Sequence, residues 1–332
     1  MVVETLRTIA AEYWVADADA FSIEGTLHRP DSKVDSTESI RDYAKNPLLY
    51  SIQRSIYRLE YAGGHRTESN GPKDGVGTFL GESDPDSTGA VAWDESWRIV
   101  ERSSGGRLAA TKDTRVTTLL PGQYAYSGAP RLPAEDEAVS VQILSSSDQL
   151  LPGFHFVFGK TVHNHRRGAC VTRFYWNISA DAAATIISEV RRRLDRLRIP
   201  FRLKCPLRVR GFRRRDSLVI YLASRYVKGA FPQIRQVWDR YAGSLDADVP
   251  PFTKWLAPGL AVAESPREPM SFGMHRCGII ARGLIAARGA ERSPEDRYQA
   301  MVREFENANV SLARPYLRQG DRDPWGIEEL EV

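Results

Sequence analysis

A chain of 332 residues with 42% apolar and 27% charged side chains has material for a substantial core, in one large domain or two ordinary ones. No apolar run is long enough to span a bilayer. The start, Met1-Val2-Val3-Glu4-Thr5-Leu6-Arg7, lacks the basic-then-apolar order of a secretory signal, and Cys170, Cys205 and Cys277 are an odd number at wide spacing. The expectation is a soluble cytoplasmic protein with reduced thiols, without a disulfide framework or a zinc site.

In chain order, the first 62 residues read mostly helical. Leu6, Ile9, Ala10 and Tyr13 form one apolar stripe, and Leu48, Leu49, Ile52, Ile56, Leu59 and Tyr61 form another after Pro47. Residues 63–89 hold seven glycines and no periodicity, the pattern of a linker or mobile flap. Strands are predicted over Val91–Glu101, Leu108–Leu120, Val139–Leu144, Gly153–Lys160 and Ala169–Ile178, an antiparallel meander. Ser179 is placed to cap a helix over 180–198 that Pro200 stops. Strands Phe201–Val209 and Ser217–Leu222 follow. Next come a helix marked by Phe231, Ile234, Val237, Trp238 and Tyr241, and a short strand Gly259–Ala263. Ser271 caps a helix to about 287, and another runs from Ser293-Pro294 to Asn307. Residues 311–332 form a tail that drapes over the surface or frays. The fold class is α+β: a helical N-terminal region (1–90), then a domain over 91–310 with the meander first and a mixed α/β half after it.

Charge is concentrated. Residues 191–215 hold eleven Arg and one Lys against a single acid, Asp195. That is a solvated basic face or a surface for a polyanion or phosphorylated ligand. Zinc-finger spacing, an RNA-recognition motif and heptads are missing from it, so nucleic acid is not the expected partner. His163 and His165 sit in a polar turn with no carboxylate spacing for a metal, and no metal or cofactor is expected.

Four segments carry candidate chemistry. In Ser271-Phe272-Gly273-Met274-His275-Arg276-Cys277 a capped helix start offers free N–H groups to an anion, Arg276 a planar donor fork, and His275 a proton near neutrality. In Phe201-Arg202-Leu203-Lys204-Cys205 alternation puts Arg202 and Lys204 on one face and the apolar residues on the other. A lysine among apolar neighbours can serve as a base. In Arg213-Arg214-Arg215-Asp216, Arg214 and Asp216 share a side and can pair, with Tyr221 and Arg225 beyond. Pro251-Phe252-Thr253-Lys254-Trp255 is a polar loop between prolines. Each segment also has a plain structural reading as a helix start, a solvent-facing strand or a loop.

The same segments, with Trp93-Asp94-Glu95-Ser96-Trp97-Arg98, Pro152-Gly153-Phe154 and Arg173-Phe174-Tyr175-Trp176-Asn177, resemble the HopA-type effector family in order and spacing over roughly residues 90–290. Its members include bacterial type III secretion effectors and the lyase components of class V lanthipeptide and thioamitide pathways. Two positions depart from the pattern: His155 replaces the usual aromatic, and position 275 can also be Asn. The resemblance implies β-elimination of phosphate from phosphoserine or phosphothreonine in a precursor peptide, giving dehydroalanine or dehydrobutyrine. A kinase-like phosphotransferase would supply the phosphate, and a cyclase is a further expected partner. Lys204 is then the base, His275 the acid, and Arg214 and Arg276 the phosphate clamp. Lys254 is a further cation, with Arg225 also on the phosphate side. Tyr175, Asn177 and Asp216 support them. The alternative is a non-catalytic effector-like protein that binds a phosphopeptide or other anionic partner.

Overall fold

The computed structural model of the chain describes residues 2–30, 46–64, 91–102, 107–112, 115–120, 122–128, 131–148, 150–161, 170–268, 270–289, 291–318 and 323–327. The stretch 65–89, and His163 and His165, lie outside them. The fold is α+β, and every strand pairing described is antiparallel.

The N-terminal region is helical in α1 (Val2–Glu12), α2 (Pro47–Ile56) and the π-helical turn Tyr57–Tyr61. Between the first two lies a sheet of β1 (Tyr13–Val15), β2 (Phe21–Ile23) and β3 (Thr26–His28) that helical periodicity does not anticipate. Its cause is local. Glu24 (φ 50°) and Gly25 (φ 80°) are both left-handed and close a two-residue hairpin between Ile23 and Thr26.

A five-stranded sheet follows, ordered β6-β5-β4-β8-β7. Its members are β4 (Val91–Arg102), β5 (Leu108–Lys112), β6 (Arg115–Leu119), β7 (Tyr124–Ala125) and β8 (Ala138–Leu144). It has its own core of Trp97, Ile99, Leu108, Ala110, Leu119, Val139 and Val141. The strand expected over Leu108–Leu120 is folded in two, from Leu108 opposite Leu119 to Lys112 opposite Arg115. The polar run Lys112-Asp113-Thr114-Arg115 interrupts the alternation there.

The site rests on a seven-stranded sheet ordered β14-β15-β11-β13-β12-β10-β9. Its strands are β9 (Ser146–Ser147), β10 (Phe154–Phe158), β11 (Val171–Trp176), β12 (Phe201–Pro206), β13 (Leu218–Ala223), β14 (Lys254–Ala257) and β15 (Leu260–Glu264). Pro206 ends β12 earlier than expected, and residues 209–213 form a 3₁₀ turn. One face buries Phe174, Trp176, Leu203, Cys205, Ile220 and Leu222 against α3 (Ala180–Arg196) and α4 (Val227–Tyr241). The other places Tyr175, Val219, Tyr221, Ala261 and Ala263 against α5 (Phe272–Ala286), α6 (Pro294–Asn307), α1 and α2.

Two expectations on α3 need correction. Ser179 occupies the cap position, but its hydroxyl makes no capping bond. Arg191 is buried instead of lining the surface, because Asp195 one turn on lies 3.8 Å from its Nε. Arg192 and Arg193 both converge on Glu189. Much of the positive charge of this helix is therefore paired.

Residues 311–327 drape over the domain where they are described. Trp325 is fully buried and donates from Nε1 to Thr172 Oγ1 at 2.7 Å. Tyr316 O accepts from Glu264 N, and Arg318 N donates to Glu264 Oε2.

Candidate functional site

Register assembles the site. Residues directly opposite in an antiparallel sheet share a face. One row on the α5 side of the sheet runs Phe156, Lys204, Val219, Tyr175, Ala261, and the next runs Phe158, Arg202, Tyr221, Arg173, Ala263. Three central strands thus present Lys204, Arg202, Arg173, Tyr221 and Tyr175 together. Alternation on β12 sends Leu203 and Cys205 into the opposite core.

Lys204 is 8% exposed. Its ammonium lies 4.3 Å from the centroid of the Phe154 ring and makes no hydrogen bond or ion pair among the described residues. A buried charge without a partner is costly unless a ligand supplies one. Arg202, exposed at the rim, stacks over the Tyr221 ring at 4.5 Å, and Arg173 lies 5.3 Å from the same ring. Arg173 is anchored by Ser265 Oγ at 2.8 Å and by Met270 O at 3.2 Å.

Ahead of β13, Arg214 grips Asp216 with two bonds, Nε to Oδ1 at 2.5 Å and Nη2 to Oδ2 at 3.0 Å. Tyr57 Oη accepts from Arg214 Nη2 at 2.9 Å and donates to Asp216 Oδ2 at 3.2 Å. Burial works to raise the Asp216 carboxyl, but Arg214, with Lys204 and Tyr57, outweighs it and holds the group below the ordinary carboxylate value. Asp216 therefore stays charged and fixes the Arg214 fork, whose guanidinium also lies 5.2 Å from the Phe154 ring.

Tyr57 and Tyr61 reach the site because α5 gives them room. A Cβ on Gly273 would stand 2.5 Å from the Tyr61 ring and 2.7 Å from the Tyr57 ring. Ser271 caps α5 as expected, its Oγ accepting from Met274 N at 3.2 Å. The Tyr61 hydroxyl is buried beside Tyr175 without a hydrogen bond of normal geometry among the described residues. Burial, moderated by Arg173, pushes the Tyr175 phenol up to about 12.

The expected residues thus divide. Lys204, Tyr175, Arg214 and Asp216 come together. Lys254 does not. It lies opposite Val262, in the row of Phe174, Ile220 and Leu203, on the other face and four strands from Lys204. Four strand spacings are about 19 Å. Its ammonium instead binds Asp323 Oδ2 at 2.9 Å and Ile327 O at 2.7 Å.

Arg276 is 0% exposed and donates to Pro315 O at 2.8 Å and Leu317 O at 2.6 Å. Lys254 and Arg276 thus both hold described parts of the strap over 311–327. Asn177 donates to Asp248 O at 3.0 Å and pins a loop. Arg225 lies beyond the far end of β13 from Asp216, exposed and stacked on Tyr226.

His275 sits between Arg276 Nη1 at 2.6 Å and Glu268 at 3.2 Å. Arg276 can only donate, so Nδ1 accepts and the proton rests on Nε2, toward Glu268. Burial and Arg276 push the imidazole down to about 4, so it is neutral at physiological pH and a weak proton source there. Sequence reasoning placed Arg173 and Tyr221 in or beside its candidate segments without giving them a role, and it did not name Tyr57. Alternation with Tyr175 and Val219 marks the first two. Tyr57 carries no such signal, because it arrives from another part of the chain.

Among the described residues no group of three His, Cys, Asp or Glu could hold a metal ion, and no helix is long and apolar enough to cross a membrane. Residues 145–317, just over half the chain, match the model of the HopA1 effector protein family. A search of curated proteins finds no match. Two solved effector structures are similar. The one from Pseudomonas syringae pv. tomato strain DC3000 is 17% identical, with a TM-score of 0.41. The one from Pseudomonas syringae pv. syringae strain 61 is 13% identical, with a TM-score of 0.37. Each match covers 50% of this chain and 63% of the other, so this chain spans less than two thirds of either structure.

Proposed function

The chain belongs to the HopA1 effector protein family, and from that premise we propose that it is a phosphoserine/phosphothreonine lyase acting on a phosphorylated precursor peptide. The observation that carries the reading is Lys204, nearly buried and without a hydrogen bond or ion pair among the described residues, on one sheet face with Arg202, Arg173, Tyr221 and Tyr175. Such a face suits a phosphate dianion beside a base. Lys204, as the free amine, takes the Cα proton. The electron pair of that C–H bond becomes the Cα=Cβ bond, the Cβ–O bond breaks, and its pair leaves on the phosphate oxygen. The product is dehydroalanine or dehydrobutyrine. Arg202 and Arg173 hold the phosphate, while Arg214, set by Asp216 and Tyr57, steadies charge developing on the peptide carbonyl.

A kinase-like phosphotransferase is the partner that would prepare this substrate, and a cyclase the one that would use the product, in lanthipeptide-type biosynthesis in the cytoplasm. The test is mass spectrometry of a phosphoserine peptide incubated with the protein. Loss of the elements of phosphoric acid, abolished by Lys204→Ala, is the expected result. Tight binding of the phosphopeptide with no mass change would favour a non-catalytic anion-binding effector instead.

A further inference from the structure

An elimination needs a destination for two charges, the proton taken from Cα and the electron pair left on phosphate. Lys204 answers the first. His275, neutral and engaged by Glu268, is poorly suited to the second. The sheet face offers another group. Tyr221 is 7% exposed, and among the described residues its side chain is engaged through its ring and not through a hydrogen bond of its hydroxyl. In register it stands directly opposite Arg202 on one side and Arg173 on the other, and diagonally from Lys204 and Tyr175. Diagonal neighbours in an antiparallel sheet lie within reach of aromatic and long side chains. Both guanidinium groups lie over its ring, at 4.5 and 5.3 Å. The groups that would hold the leaving phosphate are thus the two that flank this phenol.

We propose that Tyr221 is the catalytic acid, donating its hydroxyl proton to the departing phosphate oxygen, and that Lys204 then returns the Cα proton to it. This rests on the lyase reading above. The steps balance. Lys204 gains a proton from Cα and becomes ammonium, and Tyr221 loses a proton to the phosphate oxygen and becomes phenolate. Transfer from ammonium to phenolate restores both, so the net change is movement of one proton from Cα to phosphate. No oxidant, metal or water is consumed.

The surroundings favour the phenolate. The charged and titratable groups about Tyr221 are Lys204 and Arg202 on β12, Arg173 and Tyr175 on β11, and Arg214 and Asp216 ahead of β13. Tyr57 and Tyr61 come from the π-helical turn, with Arg276 on α5 behind Tyr175. Burial works to raise the phenol, but Lys204, Arg173 and Arg202 outweigh it, and the group titrates below the ordinary tyrosine value. Tyr175 next to it moves the other way, up to about 12, so the two phenols are not interchangeable.

The experiment compares wild type, Tyr221→Phe and Lys204→Met on one phosphoserine peptide, with phosphate release and pH–rate profiles. Near-ultraviolet phenolate titration of each protein gives a readout independent of turnover. For Tyr221→Phe the expected fall in kcat is about 10²–10⁴-fold with KM little changed. The alkaline limb of the profile should vanish, together with one early-titrating phenol. In Lys204→Met that phenol should titrate at higher pH while the circular-dichroism spectrum and cooperative unfolding of the wild type are retained, which separates lost charge from misfolding. If wild type releases phosphate and Tyr221→Phe does so equally fast, the relay is wrong and the lyase reading stands. If wild type releases none, the lyase reading falls and the relay with it. A Tyr221 phenol that titrates at or above the ordinary value would also overturn the assignment.

Discussion

Arg276→Ala should destabilise the fold much more than it weakens phosphate binding. The side chain is wholly buried, and its Nε and Nη2 bonds to Pro315 O and Leu317 O are charge-assisted. Bonds of this kind contribute about 1.5–3 kcal/mol each, and a buried carbonyl left without a donor costs a similar amount. Burial pushes the guanidinium down to about 10, still protonated at neutral pH. The expected loss is about 3–6 kcal/mol. The strap could lift to hydrate its carbonyls, but that would expose Leu317, Trp325 and Ile327, now 2%, 0% and 7% exposed. Burying each is worth about 1.5–3 kcal/mol, so lifting costs at least as much as it relieves. The loss should therefore appear as lower global stability and not as local fraying. Urea unfolding reads the first quantity and calorimetry with a phosphoserine peptide the second. Stability unchanged within about 0.5 kcal/mol, with affinity lowered tenfold or more, would refute this reasoning and return Arg276 to the ligand.

Lys204→Ala should abolish elimination while phosphopeptide binding persists, whereas Lys254→Ala should keep turnover and speed proteolysis of the strap; the reverse pattern would overturn the two placements. Asp216→Asn should remove a pH-dependent part of stability. The carboxyl is held below its ordinary value by Arg214, so its contribution is present above the unfolded pKa of about 3.9 and lost as pH falls through the lower folded value. Acid-unfolding curves of the variant should be flatter below about pH 4, and identical curves would refute the coupling. Gly273→Ala should push Tyr61 and Tyr57 off α5, given approaches of 2.5 and 2.7 Å, lowering kcat more than KM because Arg214 loses its Tyr57 contact. Unchanged kinetics would show that the π-helical turn does not set the site.

What was legible in the sequence is what short-range periodicity encodes. Alternation in Phe201–Cys205 separates Lys204 and Arg202 from Leu203 and Cys205, and the sheet does the same. The Ser271 cap and the Arg214–Asp216 pair also follow from neighbours a few residues apart. The rest depends on contacts that side-chain type does not announce. Lys254 and Lys204 look alike in sequence and differ by a sheet face and four strands, which only strand order decides. Arg276 has the donors of a phosphate clamp, yet its acceptors are backbone carbonyls at 315 and 317, available at any residue type. Tyr57 joins Arg214 and Asp216 across more than 150 residues of chain.

The strap also bears on how the chain is made. Thr172, Glu264, Lys254 and Arg276 find partners between residues 315 and 327. During synthesis the large sheet leaves the ribosome with these polar groups still waiting. Its pairings β11–β15 and β10–β12 also join distant parts of the chain, and such contacts form slowly. A nascent chain stalled before residue 315 would carry an unmatched Arg276 and an uncovered apolar trough where Leu317 and Trp325 belong, a state suited to chaperone capture. Final closure of this domain therefore waits until residues 315–327 have emerged from the ribosome and can reach the sheet.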